Sequence, residues 1–152
     1  MPGTPRLRLG FALLLSAQTA TEAIEAFQRG QYAQARQMLE KIVASSPNDD
    51  TARTFLALSR AATGACDAAA SDLRQQFNGN ADAALRRLAG IALVQCDLAR
   101  DRLENAWPVL DQLQKEFPDD ADVLYETAKV HMKAWNDAVF QMYQKTPASF
   151  RV

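Results

Sequence analysis

Residues 23–47 read AIEAFQRGQYAQARQMLEKIVASSP, from Ala23 through Gly30 and Tyr32 to Pro47. Ala35, Met38, Leu39, Ile42 and Val43 fall at i, i+3, i+4, i+7 and i+8, one apolar stripe on a helix. Gly30 suits the tight turn before that helix, because glycine reaches conformations closed to other residues. Pro47 stops it, and the Asn48-Asp49-Asp50 that follows offers a cap for the next. The stretch therefore spells two helices joined by a glycine turn. The pattern then recurs. Gly30 and Gly64, Ala35 and Ala69, Leu39 and Leu73, and Ala23 and Ala57 each stand 34 residues apart. A fixed period of this size marks stacked two-helix units, none of which buries its apolar face alone.

Bulk properties agree with close-packed helices. The chain has 152 residues, 48% of them hydrophobic, with only six Gly and six Pro. That length suits one domain or one repeat array. Seventeen basic residues against eighteen acidic ones give a net charge of -1. No basic excess exists for phosphate contacts, which argues against nucleic acid as a partner. No Lys/Arg cluster exists for an anionic lipid surface either.

Residues 1–20 differ from the rest. Arg6 and Arg8 precede the apolar run Leu9–Ala17, and small and polar residues follow through Ala20. This three-part layout predicts a secretory signal peptide, with the mature chain starting between about residues 18 and 21. The run is far shorter than the roughly 20 residues needed to span a bilayer, so no stable membrane anchor is expected. The localisation expected is therefore exported: periplasmic or secreted, in a bacterium.

From Thr21 onward the chain resembles the tetratricopeptide repeat family. The first unit carries the likeness in Ala23, Ala26-Phe27, Gly30-Gln31-Tyr32, Ala35, Leu39, Ile42 and Pro47. The second keeps Phe55-Leu56-Ala57, Gly64, Ala69 and Leu73, with Asn78-Gly79-Asn80 making the break in place of proline. The third matches in Ala106, Leu110, Leu113 and Pro118, but Pro47 to Pro118 is three residues longer than two periods. The surplus is expected around Cys96–Glu104. A degenerate fourth unit starts at Ala121 with Leu124, Ala128 and Met132 and closes at Pro147. Residues 148–152 read as the start of a further, incomplete helix, so the end is expected either to be covered by a partner or to continue in a longer chain. The resemblance implies an all-α fold over residues 21–147, with helix-turn-helix repeats stacked into a right-handed α-solenoid.

It also implies that the first helix of each unit lines a concave groove for another protein or peptide. Carried over by register, the groove would present Thr54, Leu58 and Ala61, then Arg87 and Ile91, then Tyr125, Lys129 and Met132. Tyr125 is the expected anchor.

Residues able to do chemistry are few. His131 is the one histidine, which excludes two-histidine metal motifs, and no nucleophile is placed beside it. It reads as a packing or surface residue. Asp49-Asp50 and Asp119-Asp120 follow helix-ending prolines and read as N-caps. No Gly-rich phosphate loop, C-x-x-C or G-x-S-x-G occurs, so neither enzyme activity, cofactor nor metal is expected. Cys66 and Cys96 are an even pair that, in an exported chain, favours a disulfide. Tyr125, Trp135, Phe140 and Tyr143 read as core or interface, and Trp107 and Phe117 as packing. Pro108 predicts that its helix starts near Asn105 or kinks just before the proline. The sequence thus points to a non-catalytic binding scaffold. Two other readings stay open: the N-terminal helical portion of a longer enzyme, and a cytosolic multiprotein scaffold.

Overall fold

A computed structural model describes residues 11–148, with side chains from residue 20 onward. The described residues form seven helices and no strand: α1 (Phe11–Gln28), α2 (Tyr32–Ser45), α3 (Asp50–Ala62), α4 (Cys66–Gly79), α5 (Ala83–Ala99), α6 (Leu103–Glu116) and α7 (Ala121–Lys145). Arg6, Arg8 and Leu9 of the expected leader lie outside the described residues, as do residues 149–152. α1 runs unbroken through residues 17–20, where cleavage is expected. Among the described residues no helix is long and apolar enough to cross a membrane.

The chain divides into two compact units, Met1–Asp72 and Leu73–Val152, with the division inside α4. In the first, Ala23, Ala26, Ala35, Leu39, Ile42, Ala52 and Leu56 form the core. Phe27 sits edge-on to both Tyr32 and Phe55, with ring centroids 5.1 and 5.3 Å apart. In the second, Leu73, Phe77, Ala89, Leu93, Val94, Ala106, Leu110, Leu113, Val123 and Val130 are buried. The alanines at the period positions, Ala23, Ala35, Ala57, Ala69 and Ala106, are all fully buried. A methyl group there lets two helix backbones approach closely, and a longer side chain would push them apart.

The turns between paired helices share one design. Gly30 and Gly64 have φ of 77° and 82°, and the next residue donates its N–H back across the turn: Gln31 to Ala26 O and Ala65 to Arg60 O. The third turn repeats this bond, from Arg102 N–H to Asp97 O, but its left-handed residue is Asp101, φ 56°. Aspartate tolerates this region better than most residues, yet still carries a Cβ that glycine lacks.

N-caps mark the other boundaries. The Asp49 side chain accepts from Ala52 N–H, Asp82 from Ala84 and Leu85, and Asp120 from Asp122 and Val123. From Asp49 to Asp82 is 33 residues, and from Asp82 to Asp120 is 38. Four of the five extra residues lie in α5, which at 17 residues is four longer than α3, about one full turn. A whole turn lengthens a helix without rotating its buried face.

Two expectations are adjusted. α6 begins at Leu103, with Pro108 inside it rather than in its first turn. Proline has no N–H to give the Glu104 carbonyl, so that rung of the helix is missing. The stretch read as a fourth unit is one 25-residue helix, α7, with no second helix before Pro147.

Candidate binding face

Asp120 starts α7, Asp122 places negative charge in its first turn and Lys145 positive charge in its last. All three complement the helix dipole. The inward face of α7 is Val123, Glu126 and Val130, packed towards α5 and α6. Glu126 is buried, with Gln95 Nε2 donating to Oε1 at 2.7 Å and Lys129 Nζ 2.9 Å from Oε2. These partners offset the cost of burying a carboxylate.

The expected register of this helix requires correction. Leu124 and Ala128 stand at repeat-motif positions of the expected fourth unit, but both are exposed, and the valines one position before Leu124 and two after Ala128 are buried instead. Met132, expected both at a motif position and on the groove, is exposed. Trp135, Phe140 and Tyr143 are also exposed rather than core. The structure corrects the groove as well. Thr54 and Leu58 are buried, so neither is presented on a surface. α3 buries residues on every side, including Ala52, Thr54, Leu56, Ala57, Leu58 and Ser59. It can do so because its hydroxyls turn inward onto its own carbonyls: Thr54 Oγ1 donates to Asp50 O and Ser59 Oγ to Phe55 O, both at 2.7 Å. Ala61 and Ile91 are half-buried. Arg87 is committed to an internal ion pair, with Nε and Nη2 on Asp120 and Nη2 also on Asp122.

Three of the eight candidate residues stand together on α7. Tyr125 is 64% exposed and Met132 60%, while Lys129 Nζ lies 5.4 Å from the Tyr125 ring centroid and 2.9 Å from Glu126. Around Tyr125 and Met132 lie Leu124, Trp135 at 65% exposure, Met142 and Tyr143. At helical spacing of 100° per residue these fall on one side of α7, opposite Val123 and Val130. α7 is therefore apolar on two opposite faces, one buried and one open. Monomeric proteins rarely expose a contiguous apolar patch beyond a few hundred Å².

α7 also outlasts its support. Its 25 residues span about 37 Å against about 21 Å for the 14 of α6. Phe140, Met142 and Tyr143 lie in the last turns and are exposed.

His131 sits at the edge of the open face with its ring edge-on to Trp107, centroids 5.1 Å apart. Lys133 reaches both Asp101 and Asp137, whose carboxylates hold its ammonium pKa above the ordinary value. The acid pairs serve as helix caps: Asp49 and Asp120 accept backbone N–H groups. Among the described residues no group of three or more His, Cys, Asp or Glu is placed to hold a metal. Neither cysteine is free: Cys66 and Cys96 are both disulfide-bonded. In the second unit an open cleft of about 260 Å³ is lined by Arg74, Asn78, Asn105, Pro108 and Gln112 among others. It is shallow beside the roughly 300–1,000 Å³ usual for small-molecule pockets.

Comparison of the chain with protein-family models, with curated proteins and with solved structures finds no match in any of the three.

Proposed function

We propose that the chain is a non-catalytic scaffold of the tetratricopeptide type, exported to an oxidising compartment, that binds another protein through the open face of α7. The observation that carries this reading is the second apolar stripe of α7, with Tyr125, Met132 and Trp135 each more than half exposed. Aromatic and methionine side chains of this kind are the usual anchors of protein interfaces. The stripe carries no unpaired charge, since Lys129 and Asp122 at its edges are engaged by Glu126 and Arg87. Export is supported by the signal-like residues 1–20 and by the disulfide state of both cysteines, which persists in oxidising compartments. The repeat assignment is supported by the 34-residue period and by the recurring turn at Gly30, Gly64 and Asp101.

The test is affinity capture from a periplasmic extract with the native chain and Trp135→Glu in parallel. A protein retained by the native chain and lost with a helical, folded Trp135→Glu variant is the expected result. Capture that is identical for the two would remove α7 as the binding face.

A further inference from the structure

We propose that the open face of α7 is covered by α7 of a second copy, the two helices lying antiparallel. The proposal rests on the reading of that face as a binding surface and names its occupant.

Spacing comes first. Tyr125, Ala128, Met132, Trp135, Val139 and Met142 are separated alternately by three and four residues. This is the heptad spacing of a two-helix coiled-coil seam, kept over about two and a half repeats. All six are exposed or half-exposed along the outer side of α7.

Symmetry comes second. With the two-fold axis between Lys133 and Ala134, Met132 faces Trp135 of the other copy, Ala128 faces Val139, and Tyr125 faces Met142. Each layer sets a larger side chain against a smaller or more flexible one, as interdigitation requires. The same arrangement brings the overhanging last turns of each α7 onto the first turns of the other. It also pairs the helix dipoles head to tail. At the flanks, Lys129 meets the uncharged Asn136 and His131 meets Ala138, so no like charges oppose.

Area comes third. An aromatic side chain buries about 150–250 Å², and with a comparable area taken for Leu and Met the observed exposures of Leu124, Tyr125, Met132, Trp135, Met142 and Tyr143 offer up to roughly 650 Å². Two copies would bury at most about 1,300 Å² through these side chains, at the lower edge of the range of about 1,200–2,000 Å² for stable interfaces.

Sedimentation equilibrium and thiol cross-linking test this. The native chain is expected to sediment as a dimer. Met132→Glu and Trp135→Glu, with their helix content by circular dichroism unchanged, are expected to dimerise at least about tenfold more weakly. Orientation is read from single-thiol variants, the native cysteines being already bonded. Mixing Ala128→Cys with Val139→Cys should give a cross-linked pair, whereas either variant alone should not. Efficient cross-linking of Ala128→Cys to itself would overturn the antiparallel arrangement. A native chain that stays monomeric at every concentration reached would overturn self-pairing altogether. The capture experiment then separates the two ideas. If the native chain stays monomeric, a partner lost with Trp135→Glu leaves the binding face standing with another occupant. If the native chain dimerises and Trp135→Glu weakens the dimer, equal capture leaves self-pairing standing and removes only a different protein from that face.

Discussion

Arg87 holds Asp120 through two parallel hydrogen bonds, Nε to Oδ2 at 2.6 Å and Nη2 to Oδ1 at 2.7 Å, tying α5 to the start of α7. The same carboxylate caps α7 by accepting from Asp122 and Val123 N–H, both at 3.0 Å. One side chain therefore fixes both where α7 begins and how it meets α5. An arginine in this geometry is spent on structure, and a bidentate pair leaves little of the guanidinium for a ligand.

The Arg87 bond, with the backbone donors behind it, lowers the Asp120 pKa from 3.8 to about 2. A carboxyl depressed on folding contributes stability above its unfolded value and loses it as pH falls through the folded one. The contribution of Asp120 should therefore fade between about pH 4 and pH 2. Asp120→Asn keeps a good cap but removes the charge, so its melting temperature should change less than the native one across that interval. Asp120→Ala loses cap and pair together and should melt lower at neutral pH. Melts from pH 2 to pH 7 check both.

Asp97 has the opposite sign. It is buried, its Oδ2 meets no hydrogen-bond donor, and desolvation raises its pKa, against the pull of Arg74 and Arg102. Between the ordinary and the raised value the folded chain holds more protons than the unfolded one, so stability falls as pH rises through that window. Asp97→Asn should remove this decline and melt higher than the native chain at pH 7. An equal or lower melting temperature would show that the charge is compensated.

Much of this fold was legible in the residues, and the failures have physical causes. The period of Gly30 and Gly64 located the turns, and Ala35, Leu39, Leu73 and Leu110 read as core are all buried. Asp101 is not legible because the other turns of the repeat carry glycine, though it stands two residues before Leu103 as Gly64 stands two before Cys66. Asp82 escaped because no proline precedes it. Asn80 does that work instead, accepting from Asp82 N–H through its side chain at 2.8 Å. The register of α7 failed for a different reason. A helix with valines on one side and Tyr, Met and Trp on the other satisfies two apolar stripes, and period alone does not say which is buried. Thr54 failed because a buried hydroxyl bonded to its own helix looks, in sequence, like an exposed one.

Gly90 was also hidden, since it lies mid-helix at no turn. A Cβ built there would come within 2.7 Å of Phe77 Cε2 and 2.8 Å of Leu113 Cδ2. Gly90→Ala should cost about 1–3 kcal/mol through overpacking, despite the better helix propensity of alanine. Gly79→Ala is the control. Nothing lies within 4 Å of its Cβ position, so it should be neutral or slightly stabilising. Denaturant unfolding of the two variants separates space from propensity.

Asp101→Gly should stabilise. It removes the Cβ from a left-handed residue, a relief of up to about 1 kcal/mol. It forfeits the contact with Lys133, but Asp101 is itself largely exposed and Lys133 keeps Asp137. Asp101→Ala loses the same contact without the relief and should melt below both glycine variant and native chain. Reversal of that order would mean the ion pair outweighs the backbone.

Leu110 and Tyr125 make opposite forecasts, one from the core of the second unit and one from the open face of α7. Leu110 is 1% exposed in the core of the second unit, so Leu110→Ala leaves a cavity and should cost about 2–5 kcal/mol. Tyr125 has most of its surface in solvent and contacts Lys129 of its own helix. Within one copy, Tyr125→Ala removes little buried surface, and unfolding extrapolated to dilute protein should be nearly unchanged. In a dimer the same ring lies against Met142 of the other helix, so the melting temperature should fall relative to the native chain as protein concentration is raised. The native melting temperature should itself climb with concentration, and the climb should be shallower in Tyr125→Ala. Equal, flat profiles in both proteins would mean that the ring meets no second copy, whatever else comes to cover it.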